Sequence, residues 1–477
     1  TTPSPDPGQE VQPGQTSGSE SDIVVTGVRA SIERAQEIKR RAATVVEAIA
    51  SEDIGKFSDP SIGDALQRVP GLQLQRNDDV NSGDRVSIRG LGPAFVSVTL
   101  NGRDTLSYGD LGGNQRQFNF DAVPAETLSG VLIYKTAQAS QVEPGIAGQV
   151  DLQTIRPLDQ NTKGRHVFGT LSVQGAYDDI RKGWSPRING IIGGKFLDDK
   201  IGFYIAGSYT KQKLRQDAFT VDYVERTIRT TDLAGNLVTY PNILAPSTQN
   251  FLVQINDRKR LDFNGALQFK PDDHLNVVID GAYNKYDIDQ DNPALRAAGD
   301  GAGTVVGTFP IGAYEIKNRG LVYQDQSRVE YNIPGEQLNT GGNFVVPQNL
   351  LSRRRINQYN AGINISWTND DWTIKSDYGF SKVIAKENSF GGIVFSVPDK
   401  FTYDGRDAKR PVLTLLTDTY LQVFDPTVFT PSYDFGGASK FDSERHAFRL
   451  DVTRAIAFGD GWEATIKTGV RGSRTTV

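Results

Sequence analysis

The sequence predicts a membrane all-β protein, an antiparallel outer-membrane type of β-barrel carrying a small α+β domain at its N-terminus. Three observations predict it. Segments after His166 alternate apolar and polar side chains, very short turn-like connections alternate with long ones, and large aromatic residues gather beside the short connections. Alternation with period two gives each strand one greasy and one wet face. Wet faces that carry Lys and Asp do not pack in the dry core of a sandwich.

Composition agrees with this class. The chain has 477 residues, of which 49 are Gly, 17 Tyr and 23 Phe while only 37% are hydrophobic, a mixture suited to many strands and tight bends. Lys plus Arg number 52 against 57 Asp plus Glu, a formal charge of −5, and this disfavours a nucleic-acid partner, which would want a basic face. Cysteine is absent, so disulfides, thiol catalysis and Cys-containing zinc sites are excluded. His166, His274 and His446 are the remaining nitrogen ligands. Methionine is absent too, and we have no physical account of that. A run of about 18 apolar residues, which a membrane helix needs, is missing, but a barrel strand needs only about 10 alternating ones. The chain opens at Thr1 without an apolar leader, so any signal peptide is expected to have been removed.

Taken in order, residues 1–21 are rich in Pro, Gly, Ser, Thr and Gln, cannot repay the entropy of ordering, and read as a disordered tether. Asp22, Ile23, Val24, Val25, Thr26 and Gly27 form a short β-branched strand former at the end of that leash, suited to pairing with another sheet edge. Ala30 to Ala43 carries a weak helical stripe and Thr44 to Ile49 reads as a strand. A second helix is capped by Asp59, starts with Pro60, shows Ile62, Ala65 and Leu66 on one face, and stops at Pro70-Gly71. Short strands follow at 72–75, 85–89, 97–100, 130–135 and 150–154, so residues 29–160 make a compact α+β domain.

Residues 161–477 are the barrel part. About nine strands are expected, near 166–176, 187–197, 200–213, 258–270, 273–287, 354–368, 371–387, 441–458 and 462–477. In one of them Tyr359, Ala361, Ile363, Ile365 and Trp367 oppose Asn360, Gly362, Asn364 and Ser366. The turns Asp198-Asp199, Pro271-Asp272, Asn369-Asp370 and Gly459-Asp460-Gly461 alternate with long loops expected at 178–186, 214–257, 288–353 and 388–440. Short turns at one rim and long loops at the other are the mark of outer-membrane barrels. Trp367, Trp372, Trp462, Phe196, Phe203 and Phe269 sit beside the short turns as an aromatic girdle. Closed barrels of bacterial single chains use even strand numbers, so the sequence is expected to end partway round the barrel at Val477.

The small domain resembles the plug of TonB-dependent outer-membrane receptors. The resemblance rests on DIVVTG at 22–27, ALQRVPGLQLQR at 65–76, VSIRGLGP at 86–93, VTLNGR at 98–103, VPAETLSGVLIYKT at 123–136 and EPGIAGQVDLQTIRP at 143–157, in the plug's order. Its style is nearest the large Caulobacter and Xanthomonas type of receptor, many of which are linked to carbohydrate uptake. The resemblance implies a TonB box at residues 22–28, a barrel of about 22 strands when complete, and a location in the bacterial outer membrane with plug and tether facing the periplasm. It implies TonB as partner and, through TonB, the inner-membrane energising complex. Lipopolysaccharide and a surface lipoprotein are further expected partners, and a separate signalling domain is not expected within residues 1–21. The plug's apical loops fall at 77–84, 90–96 and 105–117, making Asp78, Asp79, Asn81, Asp84, Tyr108, Asn114, Gln115, Arg116 and Gln117 the candidate substrate contacts. Amides, carboxylates and Tyr rings suit sugar hydroxyls and ring faces. Arg89 is expected to latch the plug to a barrel-wall carboxylate.

Other constellations carry no catalysis. The pairs Asp198-Asp199, Asp272-Asp273 and Asp370-Asp371 lie in turns, where Asp bonds its own backbone. Asp287, Asp289 and Asp291 have calcium-like spacing, but Asn292 and Ala298 stand where an EF-hand has Gly and Glu, so they are at most a candidate metal site. Residues 299–307 (GDGAGTVVG) fit no nucleotide loop, and Arg353, Arg354 and Arg355 open a strand at the long-loop rim. The expected function is TonB-dependent import without enzymatic activity or cofactor, of a carbohydrate first and a ferric siderophore second. A passive porin or surface-binding protein is the alternative of another class.

Overall fold

The computed structural model describes residues 35–40, 42, 44–50, 62–67, 69–76, 83–108, 117–120, 128–139, 141–142, 145–160, 162, 164–232, 234–298, 305–310, 312–325, 344–395, 401–415, 430–458 and 462–477. The tether and Asp22 to Gly27 lie outside these residues, as do Asp59 and Pro60. Both expected helices are seen in part, at 35–40 and at Ile62–Leu66.

The N-terminal domain is built on a five-stranded sheet. Its strands are β1 (Val46–Ala50), β4 (Val96–Leu100), β5 (Arg103–Asp104), β6 (Leu128–Tyr134) and β7 (Gly148–Thr154), while β2 (Leu72–Arg76) and β3 (Gly83–Ile88) form a separate hairpin. Their order in the sheet is β1-β6-β7-β4-β5, antiparallel except for β4 beside β7. Ile62, Leu66, Ile88, Phe120, Leu128, Ile133 and Leu152 are almost fully buried in one core between sheet, hairpin and helix. At about 25 cal/mol per Å² of apolar surface, each such side chain contributes roughly 1.5–3 kcal/mol.

The second part is a meander of long antiparallel strands: β8 (Val167–Asp178), β9 (Gly183–Phe196), β10 (Ile201–Thr231), β11 (Leu237–Phe269) and β12 (Leu275–Ala298) come first. Short strands β13 (Val305–Phe309), β14 (Tyr314–Lys317) and β15 (Gly320–Asp325) precede β16 (Phe344–Thr368) and β17 (Trp372–Phe395). Then come β18 (Phe401–Asp404), β19 (Val412–Leu415), β20 (Thr430–Phe458) and β21 (Trp462–Thr476). The long strands pair in the order β8-β9-β10-β11-β12-β16-β17-β20-β21, each antiparallel to the next. All nine expected strands are present.

Burial in this sheet is inverted relative to a soluble protein. Leu171, Ile192, Ile205, Phe263, Ile279, Tyr359, Ile374 and Phe448 are exposed, whereas Asn189, Ser208, Asp262, Gln268, Gln358 and Ser381 on the opposite face are buried. Polar residues face inward onto one another and onto the N-terminal domain, so Asp262 accepts from Ser208 at 3.0 Å and Asn284 at 2.5 Å. An apolar outside and a polar inside suit a lipid solvent.

At the short-turn rim Asp272 accepts backbone N–H bonds from His274 and Leu275, and Asn369 does the same for Asp371 and Trp372. Trp367, Trp372, Phe196 and Phe269 face outward there, Phe196 stacks on Phe203 and Arg454 lies over the Trp372 ring. The fourth tryptophan, Trp184, was not anticipated as an anchor and sits at the opposite rim against Tyr177.

The expected long loops need correction. Residues 214–257 are a continuation of the β10–β11 hairpin, paired through to Thr231↔Leu237, rather than a loop. In a hairpin the backbone ladder satisfies itself, so the pairing does not depend on side-chain alternation. Much of 288–353 and 388–440 is likewise strand. Short strands β13, β15 and β18 add to this rim, with Ile228, Ile243, Ala313 and Leu321 buried in a cluster of their own and the Tyr223 and Tyr403 hydroxyls 2.8 Å apart.

Candidate functional site

A short segment, residues 101–108, fastens the N-terminal domain to the wall. It begins with an Asn-Gly turn, because Asn101 and Gly102 have φ of 55° and 76°, the left-handed pair that a tight two-residue hairpin demands. The turn is braced from behind. Asp151 accepts from the Thr99 hydroxyl and from the Gly102 N–H, both at 2.7 Å, and Asn101 exchanges bonds with Thr154 at 2.9 Å. Burial pushes the Asp151 carboxyl up, against the pull of those donors and of Arg103.

The residue this turn presents is Arg103. Its Nε donates to Asp377 on β17 at 2.6 Å and its Nη1 to Asp280 on β12 at 2.7 Å. Asn364 on β16 donates to the other oxygen of Asp377 at 2.8 Å. Burial alone would push the guanidinium pKa down, but the two carboxylates outweigh it and hold it above its ordinary value. Arg103 is only 8% exposed, so losing either side would strand a charge away from water.

The wall is shaped to receive this side chain. Asp280, Gly362 and Gly379 face one another on three successive strands. A Cβ at Gly362 would fall within the guanidinium, and one at Gly379 would stand 3.0 Å from Arg103 Cδ. These glycines are the floor of a cradle that only a missing side chain can form.

Beside the cradle lies a cavity of about 170 Å³ lined by Asp104, Lys375, Arg449, Asp451 and Arg471 among others. Burial pushes the Asp104 carboxyl up, opposed by the charges of Arg445 and Arg471. Above the cradle the segment climbs the wall: the Thr105 hydroxyl donates to Asn360 at 2.9 Å, the Leu106 N–H to Ser381 at 3.0 Å, and Gln358 to the Leu106 carbonyl at 2.6 Å. At the far end the domain's exit segment is tied down by the Leu158 N–H, which donates to Gln268 at 3.0 Å.

Several expected residues are placed differently. Arg89 is exposed on a left-handed turn with φ of 53°, and the guanidinium that reaches wall carboxylates is Arg103. Tyr108, a candidate substrate contact, is buried against Tyr286, Ile288, Ile356 and Val383 of the wall. Gln117 is half-buried with an unpartnered side-chain oxygen, and Asp84 is described only as backbone of β3. Asp78, Asp79, Asn81, Asn114, Gln115 and Arg116 lie outside the described residues. Of the candidate contacts the described structure therefore brings none together with another. Asp287, Asp289 and Asp291 are ladder residues of β12, with Arg355 at 2.6 Å from Asp289 and 3.7 Å from Asp287. Among the described residues no group of three His, Cys, Asp or Glu could hold a metal. Arg354 turns inward to Glu387 at 3.1 Å, splitting the arginine run between the two faces.

Comparison with known proteins adds the following. Residues 38–150 match the family model described as TonB-dependent Receptor Plug Domain. A search of the curated proteins found no match. Among solved structures the chain is similar to the unliganded ferric citrate transporter FecA, at 11% identity and a TM-score of 0.32 over 88% of this chain and 64% of that one. It is similar to the siderophore receptor PiuA from Acinetobacter baumannii at 11% identity and 0.36, over 91% and 61%. The copper transporter OprC gives 12% and 0.35, over 88% and 66%. The chain thus spans less than two thirds of the length of FecA and PiuA. Residues 38–150, which match the plug-domain family model, are the part of the chain seated on the polar face of the sheet through Arg103.

Proposed function

We propose that the protein is an active importer of the TonB-dependent kind in the bacterial outer membrane, with plug and tether on the periplasmic side. The observation that carries this reading is the plug pinned by Arg103 to the inner, polar face of a sheet whose outer face is apolar. A barrel wide enough to hold such a domain would leak if it were empty. A plug held in part by a buried charge cluster blocks the lumen at rest and has a defined point of release.

In this reading substrate binds between the plug's apical loops and the long hairpins, and binding favours a plug state with the tether freed, since a ligand shifts an equilibrium only through differential affinity. Asp22 to Gly27 then adds as a strand to TonB, which brings energy from the inner-membrane complex. The outer membrane holds no ATP. The substrate class we propose is an oligosaccharide, in keeping with the Caulobacter and Xanthomonas style of the plug motifs. The polar upper wall, where Asn256, Arg258 and Gln290 are buried, supports a hydroxyl-rich ligand.

The test is uptake and binding of a labelled oligosaccharide panel, with ferric siderophores in parallel, by cells carrying the full-length receptor intact or lacking residues 22–27. Saturable sugar uptake lost on deletion, with binding retained, is the expected result. Uptake that survives the deletion would make the protein a passive porin. Binding of iron chelates and of no sugar would move the substrate to siderophores.

A further inference from the structure

The cavity of about 170 Å³ beside the Arg103 latch holds charge that the seating of the N-terminal domain leaves uncommitted. Its wall side is made by two rungs of the sheet, on the short-turn side of Gly362 and Gly379. Asn364, Asp377, Arg449 and Arg471 face one another along the first, and Ser366, Lys375, Asp451 and Gly469 along the second. Strand parity turns both rungs inward, because they stand two and four residues from the glycines that floor the Arg103 cradle.

Most of these groups already have partners. Asp377 gives one oxygen to Arg103 and the other to Asn364, and Asp451 pairs with Arg449. Lys375 and Arg471 form no ion pair among the described residues, although Asp451 is directly opposite Lys375 in the ladder. The carboxylates of Asp104, Asp377 and Asp451 act on Arg471 only from a distance. Arg449 and Arg471 are directly opposed cations, a destabilising arrangement that an added anion relieves. The Nη1 of Arg471 and the Nη2 of Arg103 also lack an acceptor.

The other side of the cavity belongs to the N-terminal domain. There Asp104 of β5 makes no hydrogen bond or ion pair through its carboxylate among the described residues, and Val142 adds an apolar surface with Ala447 of β20. The volume holds roughly ten waters, or one sugar ring. A neutral sugar would leave both cations unanswered. A bare phosphate would answer them but set its charge against Asp104. One small molecule satisfies both sides, a ring that carries a carboxylate at one end and hydroxyl donors at the other.

We infer that this cavity binds a uronate residue of an acidic oligosaccharide, its carboxylate between Arg471 and Lys375 and its ring hydroxyls donating to Asp104. Charge-assisted bonds to guanidinium and ammonium give the site its preference for acidic over neutral sugars. The inference rests on the import reading and deepens it. The cavity lies on the short-turn side of the latch, so in that reading a sugar reaches it after the apical loops, and the site serves transit rather than first capture. Arg103 lines the same cavity, so the sugar acid arrives beside the charge pair that seats the plug.

The experiment is equilibrium dialysis of the full-length receptor in detergent micelles against labelled digalacturonate, with galactobiose as its neutral counterpart and inorganic phosphate as competitor. Digalacturonate should bind saturably, and galactobiose about tenfold or more weakly. Lys375→Gln with Arg471→Gln should weaken one digalacturonate site per receptor by about tenfold or more, while Lys375→Arg should retain it, which separates lost charge from lost folding. Asp104→Asn should weaken the sugar acid and strengthen phosphate, because it removes the repulsion felt by a bare oxyanion. Unchanged digalacturonate binding by the double Gln variant, or equal binding of galactobiose, would overturn the inference. So would displacement by phosphate that Asp104→Asn leaves unchanged, which would make the cavity a site for free oxyanions. Cell uptake keeps the two readings apart. Import of neutral oligosaccharides that depends on residues 22–27, with no digalacturonate bound in dialysis, defeats this inference alone; digalacturonate bound by a receptor whose sugar uptake survives that deletion defeats the import proposal alone.

Discussion

Arg103 gives up nearly all of its hydration and recovers it from two carboxylates on strands 97 residues apart in sequence, Asp280 and Asp377. Truncating one partner of such a buried pair costs about 3–5 kcal/mol, because the carboxylates remain without their cation. Arg103→Ala should therefore loosen the plug by about that amount, read as a raised permeability of intact cells to large antibiotics. Gly362→Ala should act in the same direction while leaving every charge in place. Asp151 offers a separate test through pH. Its folded pKa lies above the unfolded value, so its contribution to stability is fully present below the unfolded pKa and is lost as pH rises through the folded one. Urea unfolding of the full-length receptor, followed by a label on the plug, should show stability falling as pH rises out of the acid range, and Asp151→Asn should flatten that slope. The sequence already contained the signal for the latch, an Asn-Gly turn after the alternating run Val96–Leu100, which aims the next side chain off the sheet. Attention to the SIRG segment favoured Arg89, whose left-handed turn points it to solvent instead.

At the scale of elements, all nine long strands and every strand of the N-terminal domain except the two-residue β5 were legible, because each longer strand has one apolar face set by the outer band or by the domain core. Strand length was not legible. Alternation fades after Leu214 and Pro241 and Pro246 interrupt the pattern, yet β10 and β11 run 31 and 33 residues, about three times what a membrane span needs. Backbone pairing and the rim strands sustain the outer part. Deleting residues 224–246 should therefore leave the barrel folded and resistant to heat on a gel, while amide exchange in β14 and β15 becomes much faster, because β15 loses its pairing at Leu244.

For the whole molecule, the low hydrophobic content has a simple reading once the burial is known. The largest apolar groupings are the core of the N-terminal domain and the outer band, and the contact between that domain and the wall combines amides, hydroxyls and a few charges with small apolar clusters such as that of Tyr108. In the proposed outer-membrane setting such a protein is stabilised from outside by lipid. Ile279→Arg, at the middle of the outer band, should cost about 2–4 kcal/mol in a bilayer, whereas changes at residue 285, past the aromatics, should cost about 0–1. Reversible denaturation from lipid vesicles would measure both. The candidate substrate loops stayed illegible because apical turns are specified by solvent and ligand rather than by packing, and sequence periodicity carries no trace of that.

The order of the plug sheet also sets its load path. β1, the strand nearest the tether, occupies one margin of the sheet, and β5, the strand held by the wall, occupies the other. Tension entering upstream of Val46 meets the five rungs from Val46↔Tyr134 to Ala50↔Gly130 first, and an edge strand peeled outward gives way rung by rung. The Arg103 anchor yields only as a unit. A drawn plug therefore opens along its β1 margin while its far side stays moored, and need not leave the barrel to let a solute past. Because the chain has no cysteine, Ala48→Cys with Leu132→Cys can staple that margin cleanly. On the proposed import reading the oxidised protein should bind substrate and fail to pass it, and reduction should restore passage.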